Sequence, residues 1–146
     1  MMDCGRDIRT VKAGDLLPPL EITLTASLLM AYGAATWDWN RLHYDIKYAE
    51  QMCIPGVVVD GQMYGALFAR VATRWAGATS FIERLSFKMK KLSVVGDVLC
   101  LAGELSKVEG QVATLAQRIT SGQALTAEAE TAVRFRTDVQ YAVDMS

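Results

Sequence analysis

The chain has 146 residues, 51% of them hydrophobic, which suits one domain, residues 1–146, with a core of its own and leaves little room for a second. A formal net charge of −1 without a long basic run argues against a duplex nucleic-acid surface; Lys88, Lys90 and Lys91 make only a short cluster, as on a solvated strand edge. The three cysteines, Cys4, Cys53 and Cys100, are odd in number and lack a CxxC spacing, which argues against a disulfide framework and a structural zinc site and fits a reducing cytoplasm.

The start, Met-Met-Asp-Cys-Gly-Arg-Asp, is charged rather than a signal peptide, and no apolar run approaches about 18 residues, so neither export nor a membrane span is expected. Residues 14–19 read as a turn feeding an extended segment, 20–24, whose apolar side chains fall at every second position. Thr25 can cap the next helix, on which Leu28, Leu29, Tyr32 and Ala35 recur at helical spacing on one face. Its end delivers a polar cluster, Asp38, Asn40, His43 and Asp45. Pro55-Gly56 breaks the chain, Val57 to Val59 is a short buried run, and Gly61 opens a segment rich in glycine and alanine, read as a buried helix over 62–75. Such small residues let a backbone lie close to a neighbouring surface, so a sheet can wrap around this helix. Leu85, Phe87 and Met89 alternate with Ser86, Lys88 and Lys90 as a strand with one buried face does. Gly96-Asp97 then turns the chain, and 98–108, 111–120 and a segment from Leu125 to Val133 follow as strands, joined at Glu109-Gly110 and Ser121-Gly122.

His43 is the only histidine, and therefore the first suspect for acid–base chemistry near neutral pH. A lone histidine is more often a surface or satisfied core residue; three polar neighbours within eight residues, directly after an apolar run, strengthen the functional reading. A helix N-cap or a solvated loop is the plainer alternative for the same cluster.

Together, the strand, the helix ending in D-x-N-x-x-H-x-D, the glycine-led buried helix and the antiparallel meander resemble the MaoC-like, R-specific enoyl-CoA hydratases, and also bacterial (3R)-hydroxyacyl dehydratase subunits. The resemblance spans roughly Val11 to Val133 and rests on Asp38, Asn40, His43, Asp45, Ala49 and Gly61. It implies an α+β fold, a single hot-dog domain with an antiparallel sheet wrapped around a long central helix. Two positions depart from the family pattern: Arg41 stands where a proline is usual, and Asp60 where a histidine is usual. Arg41 is expected to be solvated or to meet a carrier phosphate. Asp60 puts negative charge where an oxyanion should develop, which opposes catalysis unless its side chain is paired or turned away.

The activity implied is reversible syn hydration of a trans-2-enoyl thioester, on coenzyme A or acyl carrier protein, to a (3R)-3-hydroxyacyl thioester. Asp38 and His43 would hold one water between them, His43 activating it and Asp38 delivering a proton. The backbone amide of Gly61, at a helix start, would stabilise the thioester oxygen, although a glycine chosen for close packing or a positive φ looks the same. Asn40 would order the loop and the dyad, while Asp45 reads as structural. No cofactor or metal is implied beyond the carrier. A homodimer, or a heterodimer with another hot-dog subunit, is expected from the sheet edge. Two other readings stay open: a hot-dog acyl thioesterase, and a non-catalytic subunit completing a partner's pocket.

Overall fold

A computed structural model describes residues 6–136, so Cys4, in the charged start, lies outside the described residues. Five strands make one sheet in the order β1-β3-β4-β5-β2, every neighbouring pair antiparallel: β1 (Leu20–Thr23), β2 (Ser80–Met89), β3 (Val98–Glu109), β4 (Val112–Ser121) and β5 (Ala124–Phe135). Three α-helices accompany them, α1 (Ala26–Thr36), α2 (Ile46–Gln51) and α3 (Gly61–Ala76). The sheet curls around α3, which lies against β2, β3, β4 and β5, and this is the expected α+β hot dog.

Burial explains the wrapping. Met63, Tyr64, Leu67, Phe68, Val71, Ala72, Trp75 and Ala76 of α3 are buried, and they meet Leu99, Leu101, Leu105, Leu115, Ile119 and Val133 from the inner face of the sheet. Gly65 permits the close approach of helix to strand, since a β-carbon there would stand 2.8 Å from the Phe87 ring. Inside this layer Gln117 and Thr131 are paired with each other and with the backbone, and Tyr64 with a serine: Gln117 donates to the Phe68 carbonyl at 3.1 Å and accepts from Thr131 Oγ1 at 2.7 Å, while Tyr64 donates to Ser93 Oγ at 2.7 Å.

Several boundaries differ from the sequence reading for identifiable reasons. β2 starts at Ser80, not in the alternating stretch at Leu85, because a bulge between Ile82 and Arg84 breaks the two-residue period. α1 presents Leu29 and Gly33 to the core with Leu28 and Tyr32 partly buried, whereas Ala35, expected on the same face, is exposed. The six-residue α2 was not legible as a helix; Asp45 caps it, accepting from the Tyr48 N–H at 3.1 Å. No described helix is long and apolar enough to cross a membrane.

Candidate active site

The polar cluster forms on the turns between α1 and α3. After Thr36, Trp37 adopts the left-handed conformation (φ 60°), and its N–H and that of Asp38 both return to the Gly33 carbonyl, Asp38 at 3.0 Å. Gly33 is required by this reversal, because a β-carbon there would lie 2.9 Å from the Asp38 carbonyl oxygen. Asp38 Oδ1 then accepts from the Asn40 N–H at 3.0 Å, and Asn40 Oδ1 accepts from the Leu42 N–H at 3.1 Å, starting a 3₁₀ turn, Arg41–His43. Asn40 thus orders the loop through its side chain and Asp38 through its backbone.

The His43 ring sits with Nδ1 2.9 Å from the Val58 carbonyl oxygen. A carbonyl only accepts, so Nδ1 carries a hydrogen and a neutral ring turns the Nε2 lone pair the other way. Nε2 stands 3.9 Å from Asp38 Oδ2, too far for a direct hydrogen bond yet close enough for one water to bond to both. Val58 is itself pinned between neighbours, its N–H donating to the Leu42 carbonyl while Val59 N–H donates to the Ser93 carbonyl, both at 2.9 Å.

The start of α3 closes the other side. Asp60 is its N-cap, Oδ1 accepting from the Gln62 N–H at 2.9 Å, and the residue is only 8% exposed. Its side chain is neither fully paired nor turned away: one oxygen of Asp60, one of Asp38 and a ring nitrogen of His43 lie within 4.8 Å of one another. The Tyr32 hydroxyl, on α1 beside them, is held above its ordinary pKa by burial first and then by the charges of Asp60 and Asp38. Gly61 is the first helical residue, where an N–H has no intrahelical acceptor. Its φ is not positive; close packing alone accounts for the glycine, since a β-carbon there would stand 2.6 Å from Met89 Sδ.

Arg41 is outside this group. It pairs with Asp45 at 2.7 Å and lies over the Tyr48 ring, 4.4 Å from its centroid, on the exposed surface. Asp45 also lies apart from the dyad and serves α2. The niche among Leu29, Tyr32, Asp38, His43, Asp60 and Met63 has essentially no free volume, whereas a groove of about 760 Å³ lies against the sheet, lined by Leu16, Lys88, Glu104, Arg118 and Glu130 among others. Sequence reasoning missed the parts of the site played by Val58 and Gly33. A backbone carbonyl leaves no residue-type signal, and a glycine inside a helical pattern reads as a packing choice.

The family model described as MaoC like domain matches residues 10–127. The chain belongs to the MaoC-like domain family. Solved structures agree with that membership. The MaoC-like chain superposes on the (R)-hydratase from A. caviae involved in PHA biosynthesis with a TM-score of 0.82 at 25% identity, over 88% of this chain and 99% of that one. The ChsH1-ChsH2 complex from Mycobacterium tuberculosis gives 0.82 at 21% identity, over 87% and 99%. The HadBC (3R-hydroxyacyl-ACP dehydratase) complex from the same organism gives 0.71 at 15%, over 85% and 98%. A search of curated protein sequences found no match. The expected family and the expected hot-dog fold are thus both found, and the solved structures similar to this MaoC-like chain include a hydratase and a dehydratase.

Proposed function

We propose that the chain is a hydro-lyase that adds water reversibly and on one face to trans-2-enoyl thioesters of coenzyme A or acyl carrier protein, giving (3R)-3-hydroxyacyl thioesters. The observation that carries this reading is the orientation of His43: the Val58 carbonyl takes the Nδ1 hydrogen at 2.9 Å, leaving the Nε2 lone pair 3.9 Å from Asp38 Oδ2. A water between the two has a base on one side and a carboxylate on the other. His43 Nε2 takes one proton from the water as its oxygen bonds to the β-carbon, and that proton is passed back through the dyad to the α-carbon from the Asp38 side as the enolate collapses, which returns His43 and Asp38 to their starting states. Because the groups are coupled through that water, the dyad acts as one unit. The Gly61 N–H, at the positive end of α3, supports the enolate-like thioester oxygen, and Asn40 positions Asp38.

A second reading, a subunit whose pocket needs a partner hot-dog chain, is favoured by one observation. The niche beside the dyad is closed to water and to an acyl chain alike, so turnover requires Leu29, Tyr32 and Met63 to part or a second subunit to shape the opening. β1 and β2 form the free edges of the sheet, and such edges are where another sheet can join.

The test follows the absorbance of trans-2-enoyl-CoA substrates, from four-carbon to bulky chains, with wild type and His43→Ala. Loss of the enoyl signal with wild type alone, without thiol release, supports the hydratase. Thiol release supports a thioesterase, and silence across the panel supports the partner-dependent subunit.

A further inference from the structure

Buried polar groups are nearly always hydrogen-bonded, and a buried carboxylate oxygen without a partner is among the hardest to accommodate. Asp60 Oδ2 is such an atom among the described residues. The other one, Trp75 Nε1, is a neutral N–H near the far end of α3, for which a missing bond weighs less. Capping α3 explains only Asp60 Oδ1. Among the described residues, no lysine or arginine forms an ion pair with Asp38 or Asp60.

The three side chains share one construction. Asp38 Oδ1 is held by the Asn40 N–H, His43 Nδ1 by the Val58 carbonyl and Asp60 Oδ1 by the Gln62 N–H, so each has one atom anchored to the backbone and leaves its other donor atom uncommitted. This is how metal-ligating side chains are held: the outer atom is bonded to the protein and fixes the direction of the inner one.

The geometry points to a divalent transition-metal site formed by Asp38, His43 and Asp60, with His43 ligating through Nε2, each carboxylate through one oxygen, and zinc the class of ion best suited. One carboxylate oxygen of each aspartate and a ring nitrogen of His43 lie within 4.8 Å of one another, and Asp38 Oδ2 and His43 Nε2 are 3.9 Å apart. A tetrahedral ion bonded at about 2.0–2.2 Å sets its ligands about 3.3–3.6 Å apart, so that pair needs to close by about half an ångström and the widest by little more than 1 Å. A niche without free volume for an acyl chain still suits a bare cation. An ion there takes the Nε2 lone pair needed to activate water, and so competes with hydration. The site itself does not depend on the hydratase reading.

The experiment is a titration of the chelator-treated, full-length protein with cobalt(II), followed by visible absorbance. The expected result is a d–d band that saturates at one equivalent, is displaced by zinc, and lacks thiolate charge-transfer absorption. Asp60→Asn keeps a side chain able to cap α3 and is expected to weaken binding at least tenfold, with its fold checked by circular dichroism; His43→Gln provides a second variant should the first misfold. Absence of the band at one equivalent overturns the site. So does an undiminished band in both variants, or strong thiolate absorption from the exposed Cys53 or Cys100. Failure of the hydratase assay leaves this absorbance readout in place.

Discussion

Gln117 and Asp60 are both buried polar side chains beside α3, 4% and 8% exposed, yet their surroundings treat them differently. Gln117 uses both ends of its amide, on Phe68 and Thr131, and its network stitches helix to sheet. Asp60, which lines one niche with Asp38 and His43, uses one oxygen to start α3 and leaves the other without a partner among the described residues. A satisfied network fixes a structure, whereas uncommitted polar atoms aimed at one point suit binding or proton transfer. The molecule thus separates a packed layer from a polar corner in which donor atoms are kept free.

Substitutions in each region test that separation. Phe68→Ala empties a fully buried site in the packed layer and is expected to lower unfolding free energy by about 3–5 kcal/mol, read from denaturant titration. Gly33→Ala places a β-carbon against the Asp38 carbonyl oxygen. It should cost about 1–3 kcal/mol of stability and a larger share of enoyl-CoA turnover, since a displacement of about 1 Å can cost about 10²-fold in rate. Unchanged turnover in that variant would show that the reversal after α1 does not position the site. Gln117→Leu strands the Phe68 carbonyl and the Thr131 hydroxyl and is expected to cost about 1–3 kcal/mol while leaving turnover per folded molecule unchanged. A specific loss of turnover there would erase the distinction between the two regions.

The smallest effect concerns Asp45, which belongs to neither. Arg41 chiefly, and then the Tyr48 N–H, hold its carboxyl below the ordinary aspartate range. A depressed folded-state value means that its stabilising contribution is complete above about pH 4 and fades as the pH falls through the folded value. An NMR titration of the Asp45 carboxyl, repeated with Arg41→Ala, should show the midpoint rise towards the ordinary value in the variant. The pair is exposed, so high salt should shrink the difference.

Much of the packed layer was legible in the sequence because apolar periodicity records burial. Leu85, Phe87 and Met89 marked the end of β2, and the glycine and alanine content from Gly61 onward marked a helix that a sheet could enclose. The bulge at Ile82/Arg84 hid the first half of β2, and six residues were too few for α2 to show a period. In the polar corner, the motif brought Asp38, Asn40, His43 and Gly61 to attention through residue type and resemblance. What holds them was not legible: the His43 ring is aimed by the carbonyl of Val58, fifteen positions away, and the Asp38 loop is shaped by a contact that Gly33 permits by lacking a side chain. Asp60 drew notice as a departure from the family pattern, but its unpartnered oxygen depends on burial that only the folded chain defines.

The most direct test of the central claim compares enoyl-CoA hydration by wild type, Asp38→Asn, His43→Ala and the double variant, each confirmed as folded. If the two side chains activate one water as a unit, each single change should lower the rate by about 10²- to 10⁴-fold, and the double variant should be little worse than either. Near-normal hydration in either single variant would contradict the assignment.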